Sequence, residues 1–408
     1  MQRAADFAVI GGGAAGLAAA VSAAACGDHV KVFERGNAIG RKIAASGNGR
    51  CNLMNSGIPR YFGDIWFAEK VFEYFPKERI IRYWKELGIY LSEEAEGRLY
   101  PSTFRSITVT DAYRIRLKSS CTEVLLQTDV REVITTGHSF ILKTNNGEYE
   151  AKRVLVASGG AANPKLGGSS GGYGLLKTFG HKIHPVKPAL CPLKTDAKSV
   201  SGLAGIRAKC IAVLKNNKGD TLHTEQGEIL FTENGISGIC IMQLARFASA
   251  GDRIELNLLS RVFSDPEDLY HALLYRQKQI AEFAPETLLK SLLAPRLSYA
   301  VMKQAGIEMK DRVAGDLSRD EIRVVSEKCR NYTLTVTGSC GMEDAQVTAG
   351  GAACDEFDPA TMQSLIVSGL HAAGEVLDVD GDCGGFNLMF ATAGGILAGL
   401  NGREGAEL

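Results

Sequence analysis

AVIGGGAAGLAAAVSAAAC at residues 8–26, VKVFE at 30–34 and GRKIAASGNGRCN at 40–52 form one connected pattern. In chain order it predicts a strand (Ala8–Ile10), a glycine turn, a small-residue helix through Cys26, a second strand (Val30–Phe33) and then an acid, Glu34. Gly11, Gly13 and Gly16 fit three distinct duties: a tight turn, close approach of backbone to a pyrophosphate, and close packing of helix on strand. Ala14 and Ala15 open the helix, where free N–H groups and the dipole favour negative charge. Glu34, followed by Arg35, has the spacing of an acid that accepts hydrogen bonds from ribose hydroxyls. A secretory segment is the rival reading of residues 1–26, but Asp6 interrupts its basic region and three glycines fall inside its apolar core. Strand plus helix start is the better account.

The chain has 408 residues, more than a single core usually supports, so two or three domains are expected. Its 45% hydrophobic and 23% charged content is that of an ordinary globular protein. No apolar run of spanning length is present, so no membrane span is expected. The formal net charge of zero removes any general argument for nucleic-acid or anionic-membrane binding. Ten cysteines occur singly, with no CxxC pair and no zinc-type spacing, which points to reduced thiols and a cytoplasmic location. His181 and His184 form a close histidine pair, but no HExxH motif or adjacent acid accompanies it, so no metal is expected.

Residues 64–91 carry helical periodicity around Pro76, and Ser106–Cys121 reads as a second amphipathic helix. Residues 123–130, 132–136, 139–144 and 148–151 alternate like strands, with Asn145-Asn146-Gly147 as a hairpin turn. Val154–Ala157 reads as a buried parallel strand ending in Ser158-Gly159-Gly160, which should face a ligand at the carboxyl edge of the sheet. Gly167–Gly174 leads into a helix, Leu175–Phe179. Short β-rich runs at Lys209–Leu214, Glu228–Phe231 and Arg253–Leu258 suggest a small barrel. Helices are expected at Leu269–Phe283, Thr287–Ala294, Leu297–Ala305 and Arg319–Arg330. The expected divisions are 1–189, the first part of the cofactor domain; 190–262, a small β-barrel-like domain; 263–332, a helical insert; and 333–408, a return through the barrel edge that completes the cofactor domain.

The last stretch, GLHAAGEVLDVDGDCGGFNLMFATAGGILAG at 369–399, predicts a strand at Leu370–Ala373, the turn Gly374-Glu375, a loop, Gly384-Gly385 and a small-residue helix from about Leu388. It supplies a second helix N-terminus for an electron-rich group, without the downstream acid of a second complete fingerprint.

These blocks together resemble a flavoprotein with two dinucleotide-binding domains that holds FAD. The match becomes specific at Gly40-Arg41-Lys42, Ser46-Gly47-Asn48-Gly49-Arg50-Cys51-Asn52, Ala345–Gly351 and Gly374-Glu375-Val376-Leu377-Asp378. These resemble the BaiN-like flavoprotein family, which includes a bile-acid enone reductase, a ribosomal-RNA dihydrouridine synthase and an aminoacetone oxidase. The resemblance implies an α/β fold with a Rossmann-like FAD domain built from both chain ends, a small β-barrel and a helical insert.

Beside that resemblance, Arg41 and Lys42 can neutralise phosphates or polarise the flavin, and Ser46–Gly49 is a turn able to wrap an anion or carbonyl. Val130 stands where similar flavoproteins read adenine with backbone groups. Asp378 and Asp380 are candidates for ribityl hydroxyls. Gly385, Phe386, Asn387 and Leu388 would place N–H groups at flavin N1/O2. Cys51 and Cys340 are the candidate proton donors to a substrate carbanion, and Tyr100 and Arg98 are candidates for roofing the pocket.

Three activities follow. The first is NAD(P)H-driven reduction of a conjugated C=C bond in a small apolar, steroid-like enone, with NADH or NADPH visiting transiently. The second is reduction of the uracil C5=C6 bond in ribosomal RNA, with Arg41, Lys42, Arg50 and Arg60 available to phosphate. The third is oxidation of a small amine by O₂, which predicts peroxide release and no use of nicotinamide. Substrate identity and oligomeric state have no motif in this sequence.

Overall fold

The computed structural model describes residues 4–120 and 122–403, which divide into two compact units. The first unit contains residues up to 187 and from 346 onward; the second contains 188–345.

In the first unit, strands Thr122–Leu125, Val30–Phe33, Ala5–Ile10, Gly147–Val156 and Leu370–Ala372 lie side by side in parallel. Val, Ile, Phe and Ala dominate the central strands because both faces of the sheet are covered. Gly147–Val156 is one strand where two were expected. Its first half pairs antiparallel with Phe140–Thr144, and from Ala151 onward it runs parallel to Ala5–Ile10. Ala151, opposite both Phe140 and Ala5, marks the change. Thr144 pairs with Gly147, so Asn145-Asn146 form the expected two-residue hairpin loop.

The first helix, Ala14–Ala25, is buried from Ala15 through Ala23. It packs against the last helix, Phe386–Leu400, from the other end of the chain. Small residues permit this: a Cβ at Gly395 would stand 2.2 Å from the Ala15 carbonyl oxygen, and one at Gly399 would stand 2.5 Å from that of Ala19. The segment 64–91 forms two helices, Ile65–Tyr74 and Lys77–Glu86, because Pro76 cannot continue the first and caps the second. The helix expected at Ser106–Cys121 spans Ser106–Lys118, and the one after Gly167–Gly174 begins earlier, at Gly171–Thr178.

In the second unit, six strands close a barrel in the order Leu193–Thr195, Gly235–Ser237, Thr221–Thr232, Arg207–Lys215, Arg253–Asn257 and Tyr332–Ser339. Cys210, Ala212 and Leu214 alternate into its interior and meet Ile254, Leu256, Leu334 and Val336 from neighbouring strands. Arg253–Asn257 and Tyr332–Ser339 pair directly, so the helices Pro266–Gln279, Pro295–Gln304 and Arg319–Arg330 are an excursion between adjacent barrel strands. The helix expected at Thr287–Ala294 is instead a 3₁₀ turn, Pro285–Leu288, followed by further turns. Pro285 and Pro295 bracket it, and a proline biases the residue before it away from the helical region.

Candidate cofactor site

The site is built in the first unit, from the carboxyl ends of its parallel strands. At one end lies the turn after Ala5–Ile10. A Cβ at Gly11, where φ is +111°, would stand 2.4 Å from the Ala157 carbonyl oxygen, and one at Gly16 would stand 1.9 Å from that of Gly11. Only glycine fits at either position. A Cβ at Gly13 would meet no atom within 4 Å, so the helix N-terminus faces open space there. That is the shape required for close approach of a pyrophosphate.

Glu34 holds the turn from the next strand: one carboxylate oxygen accepts from the Gly12 N–H at 2.8 Å, the other from the Gly36 N–H at 2.5 Å. Each oxygen keeps a lone pair for a hydroxyl donor. Arg35 donates to Ser169 and to the Gly167 carbonyl, and Arg41 donates to the Lys165 carbonyl at 2.6 Å. Val130 is buried and paired with Thr144, while the neighbouring Gln127 and Thr128 donate N–H groups to the Gly36 and Glu34 carbonyls.

Midway along the site, segments far apart in sequence converge. Lys42 pairs with Glu375 at 2.9 Å; the other Glu375 oxygen accepts from the Thr348 N–H, and the Thr348 hydroxyl accepts from the Ala162 N–H. Lys42 therefore spends one of its three N–H donors on a carboxylate within the protein. Gly374 fits against Ala15, where its Cβ would lie 3.0 Å from the alanine methyl. Gly159, at φ +73°, leaves open space in front of it, while Ser158 packs against Gly172. Tyr173, on the helix Gly171–Thr178, turns its buried phenol towards Thr348 and the Ala161 backbone. Asp378 makes a 2.6 Å hydrogen bond with His184, and His181 bridges Glu356 and Ser364, so both histidines have partners within the protein.

At the far end, Asn52 comes against the start of the last helix. A Cβ at Gly385 would stand 2.4 Å from the Met54 carbonyl oxygen and 2.8 Å from Asn52 Oδ1. Asn52 is nine-tenths buried, yet Oδ1 makes no hydrogen bond within the protein. A buried acceptor without a donor is costly, which marks this as a place for a ligand N–H. The Asn387 side chain is already used: it accepts from the Gly381 N–H and donates to the Gly381 carbonyl, both at 2.8 Å.

The two thiols expected to donate protons differ in setting. Cys51 is wholly buried, beside Ser46 and Tyr113, and burial pushes its thiol up to about 11. Cys51 is thus a neutral thiol packed in the core of the first unit. Cys340 follows the barrel strand Tyr332–Ser339 in the second unit, beside Cys191 and Asp344, with its thiol raised first by burial. Thr348, Tyr173 and His184 escaped notice as site residues. Each lay in a stretch that stood out for another reason: Thr348 in the Ala345–Gly351 block, Tyr173 in Gly167–Gly174, and His184 in the histidine pair.

The residues present fit FAD. Open space at Gly13 and Gly159, two helix N-termini and the unpaired Asn52 oxygen together call for an elongated ligand with an anionic middle and an N–H edge. The fold and this two-ended cradle define a Rossmann-type flavoprotein of the FAD class, an oxidoreductase. The chain belongs to the HI0933-like family: the model of the HI0933-like protein Rossmann domain matches residues 5–401. It is 32% identical to a 3-dehydro-bile acid delta(4,6)-reductase of Clostridium scindens over 97% of this chain and 98% of that one. It is 29% identical to a ribosomal RNA dihydrouridine synthase of Haemophilus influenzae over 94% of each chain. Among solved structures, the 3-ketosteroid-delta4-(5alpha)-dehydrogenase of Rhodococcus jostii RHA1 shares the fold at a TM-score of 0.52 and 15% identity, covering 98% of this chain and 97% of that one. Among the described residues, no helix is long and apolar enough to cross a membrane.

Proposed function

We propose that this protein is a cytoplasmic, NAD(P)H-driven reductase of a conjugated C=C bond in a small apolar enone of the steroid or bile-acid type. The observation that carries the reading is the end-to-end likeness to a bile-acid reductase, 32% identity over 97% of one chain and 98% of the other. The first helix N-terminus, Gly13–Gly16, would hold the FAD pyrophosphate, Glu34 the ribose, and Asn52 with the start of the last helix the flavin ring. Bound there, FAD would supply a hydride from N5. The chain's own groups would orient the ring: the Lys42–Glu375–Thr348 network fixes the turn that follows Leu370–Ala372, and Asn387 braces the loop at Gly381.

The test is an anaerobic titration of the purified yellow protein with NADH and with NADPH, followed by a 3-oxo-4-ene steroid. Bleaching by a nicotinamide and recovery of colour with the steroid is the expected result. No bleaching by either nicotinamide removes this electron route, and peroxide release from an added amine would favour an oxidase. A second reading, uracil reduction in ribosomal RNA, draws on the relatives 29% and 27% identical over nearly the whole chain. It predicts a lower dihydrouridine content in ribosomal RNA of a deletion strain, read by mass spectrometry.

A further inference from the structure

Backbone strain gathers around one arginine. Asn48, Cys51 and Phe104 all have positive φ, at +55°, +59° and +52°, although none is glycine. Such conformations cost about 1–3 kcal/mol each and persist only where the surroundings enforce them. All three lie about Arg50. Its guanidinium carbon lies 4.5 Å from the Tyr100 ring centre and 4.7 Å from that of Phe104, and the two rings are 5.8 Å apart. Phe104 reaches this position through the tight turn in which its N–H donates to the Pro101 carbonyl.

The two ring centres subtend roughly a right angle at the guanidinium carbon, so the rings wall one side of it and its N–H edge carries the polar contacts. One edge nitrogen pairs with Glu94 at 2.7 Å. Arginine has five N–H donors in a fixed plane, so the remaining edge still offers a donor fork. Glu94 offsets the charge, which suits the site to a neutral oxygen acceptor beside the aromatic rings better than to a phosphate. The position adjoins the flavin end of the cradle: a Cβ at Gly47 would lie 3.1 Å from the Asn52 nitrogen and 3.5 Å from the Tyr100 ring, and Asn52 in turn abuts Gly385.

We propose that Arg50 is the group that binds and polarises the substrate carbonyl oxygen, with Tyr100 and Phe104 as the apolar platform for the ring bearing that carbonyl. This rests on the enone-reductase reading above. As hydride adds to the β-carbon, the C=C electron pair shifts towards the carbonyl and negative charge collects on its oxygen, where the Arg50 edge holds it. A solvent proton then adds at the α-carbon and the carbonyl re-forms. The two electrons come from reduced flavin, which the nicotinamide replenishes. Glu94 is a positioning residue that fixes which edge of Arg50 stays open.

The probe is 4-androstene-3,17-dione labelled with ¹³C at C3, bound to the oxidised holoenzyme without turnover. Polarisation moves the C3 resonance downfield, a readout that a purely structural Arg50 would leave unchanged. The expected result is a downfield shift with the unaltered protein, loss of that shift in Arg50→Met, and part of it retained in Arg50→Lys, which keeps the charge but not the fork. Reoxidation of the dithionite-reduced enzyme by the steroid should slow about 10²–10³-fold in Arg50→Met, the range for losing one preorganised donor. A shift of equal size in Arg50→Met, or binding to the unaltered protein with no C3 shift, overturns the assignment and leaves the enone reading intact. Absence of steroid binding by the unaltered protein overturns the enone reading and this assignment with it. Should Arg50→Met not fold, Arg50→Lys decides the matter by the same shift.

Discussion

Asn52 illustrates how a single atom reports on a missing partner. Its Oδ1 is enclosed beside Gly385 and accepts nothing, so replacing it by leucine removes no hydrogen bond of that oxygen in the cofactor-free protein. Asn52→Leu should therefore leave the melting temperature of the apoprotein unchanged or higher while weakening FAD roughly 2–10-fold, the worth of one hydrogen bond. Fluorescence titration of the apoprotein with FAD reads this directly. His371 makes a different prediction. It sits fully buried on Leu370–Ala372, with Nδ1 at 3.1 Å from the Thr361 carbonyl and its ring edge-on to Phe7. Burial, then the charge of Arg153, push its pKa from 6.5 down to about 3. Because the folded value is the lower one, the neutral imidazole contributes stability that is present above pH 6.5 and lost as pH falls towards 3. Between pH 6.5 and 4.5 the loss is on the order of 3 kcal/mol. His371→Gln removes this titration, so its urea midpoint should gain on that of the unaltered protein between pH 7 and 4.5.

The seam between Ala14–Ala25 and Phe386–Leu400 depends on missing side chains. Gly399→Leu would force its new atoms against Ala19 and Ser22, so a loss of about 1–3 kcal/mol is expected, seen as a lower melting temperature. The same change should weaken FAD, because the last helix carries the main-chain groups that abut Asn52. The seam's composition was legible: the first segment is almost wholly small residues and the second pairs Ala and Gly with large apolar side chains, which suits buried helices. Elements whose pattern is local were also legible, such as the Asn145-Asn146 hairpin and the helix Arg319–Arg330, which begins on the Ser318/Glu321 capping box. The 3₁₀ turn at Pro285–Leu288 was not, because buried leucines in successive tight turns repeat at nearly helical spacing. Nor was the unity of Gly147–Val156: alternation in its antiparallel half and continuous burial in its parallel half read as two strands.

Within the first unit, the candidate site is a product of chain closure more than of any one motif. The glycine turn and Glu34 announced themselves because their partners lie within about one βαβ unit. The Lys42–Glu375 pair did not: each residue stood out within its own motif, but nothing in either motif points to a partner 333 residues away. Arg50 was visible only as one basic residue among several until Tyr100 and Phe104 were seen about it. If one ligand ties these segments together, FAD should slow amide exchange over 11–17, 46–52 and 374–389 in a single concerted step, measured by hydrogen–deuterium exchange. Protection confined to 11–17 would mean that the two ends of the cradle act separately. At a hundredfold excess over its Kd, FAD should also add about 2.7 kcal/mol of stability. The seam of Ala15 and Ala19 with Gly395 and Gly399 also sets a timetable for biosynthesis. A ribosome adding about 5–20 residues per second delivers the first helix roughly 20–80 s before the last one leaves the exit tunnel. Through that interval the alanine helix waits with its partner face uncovered.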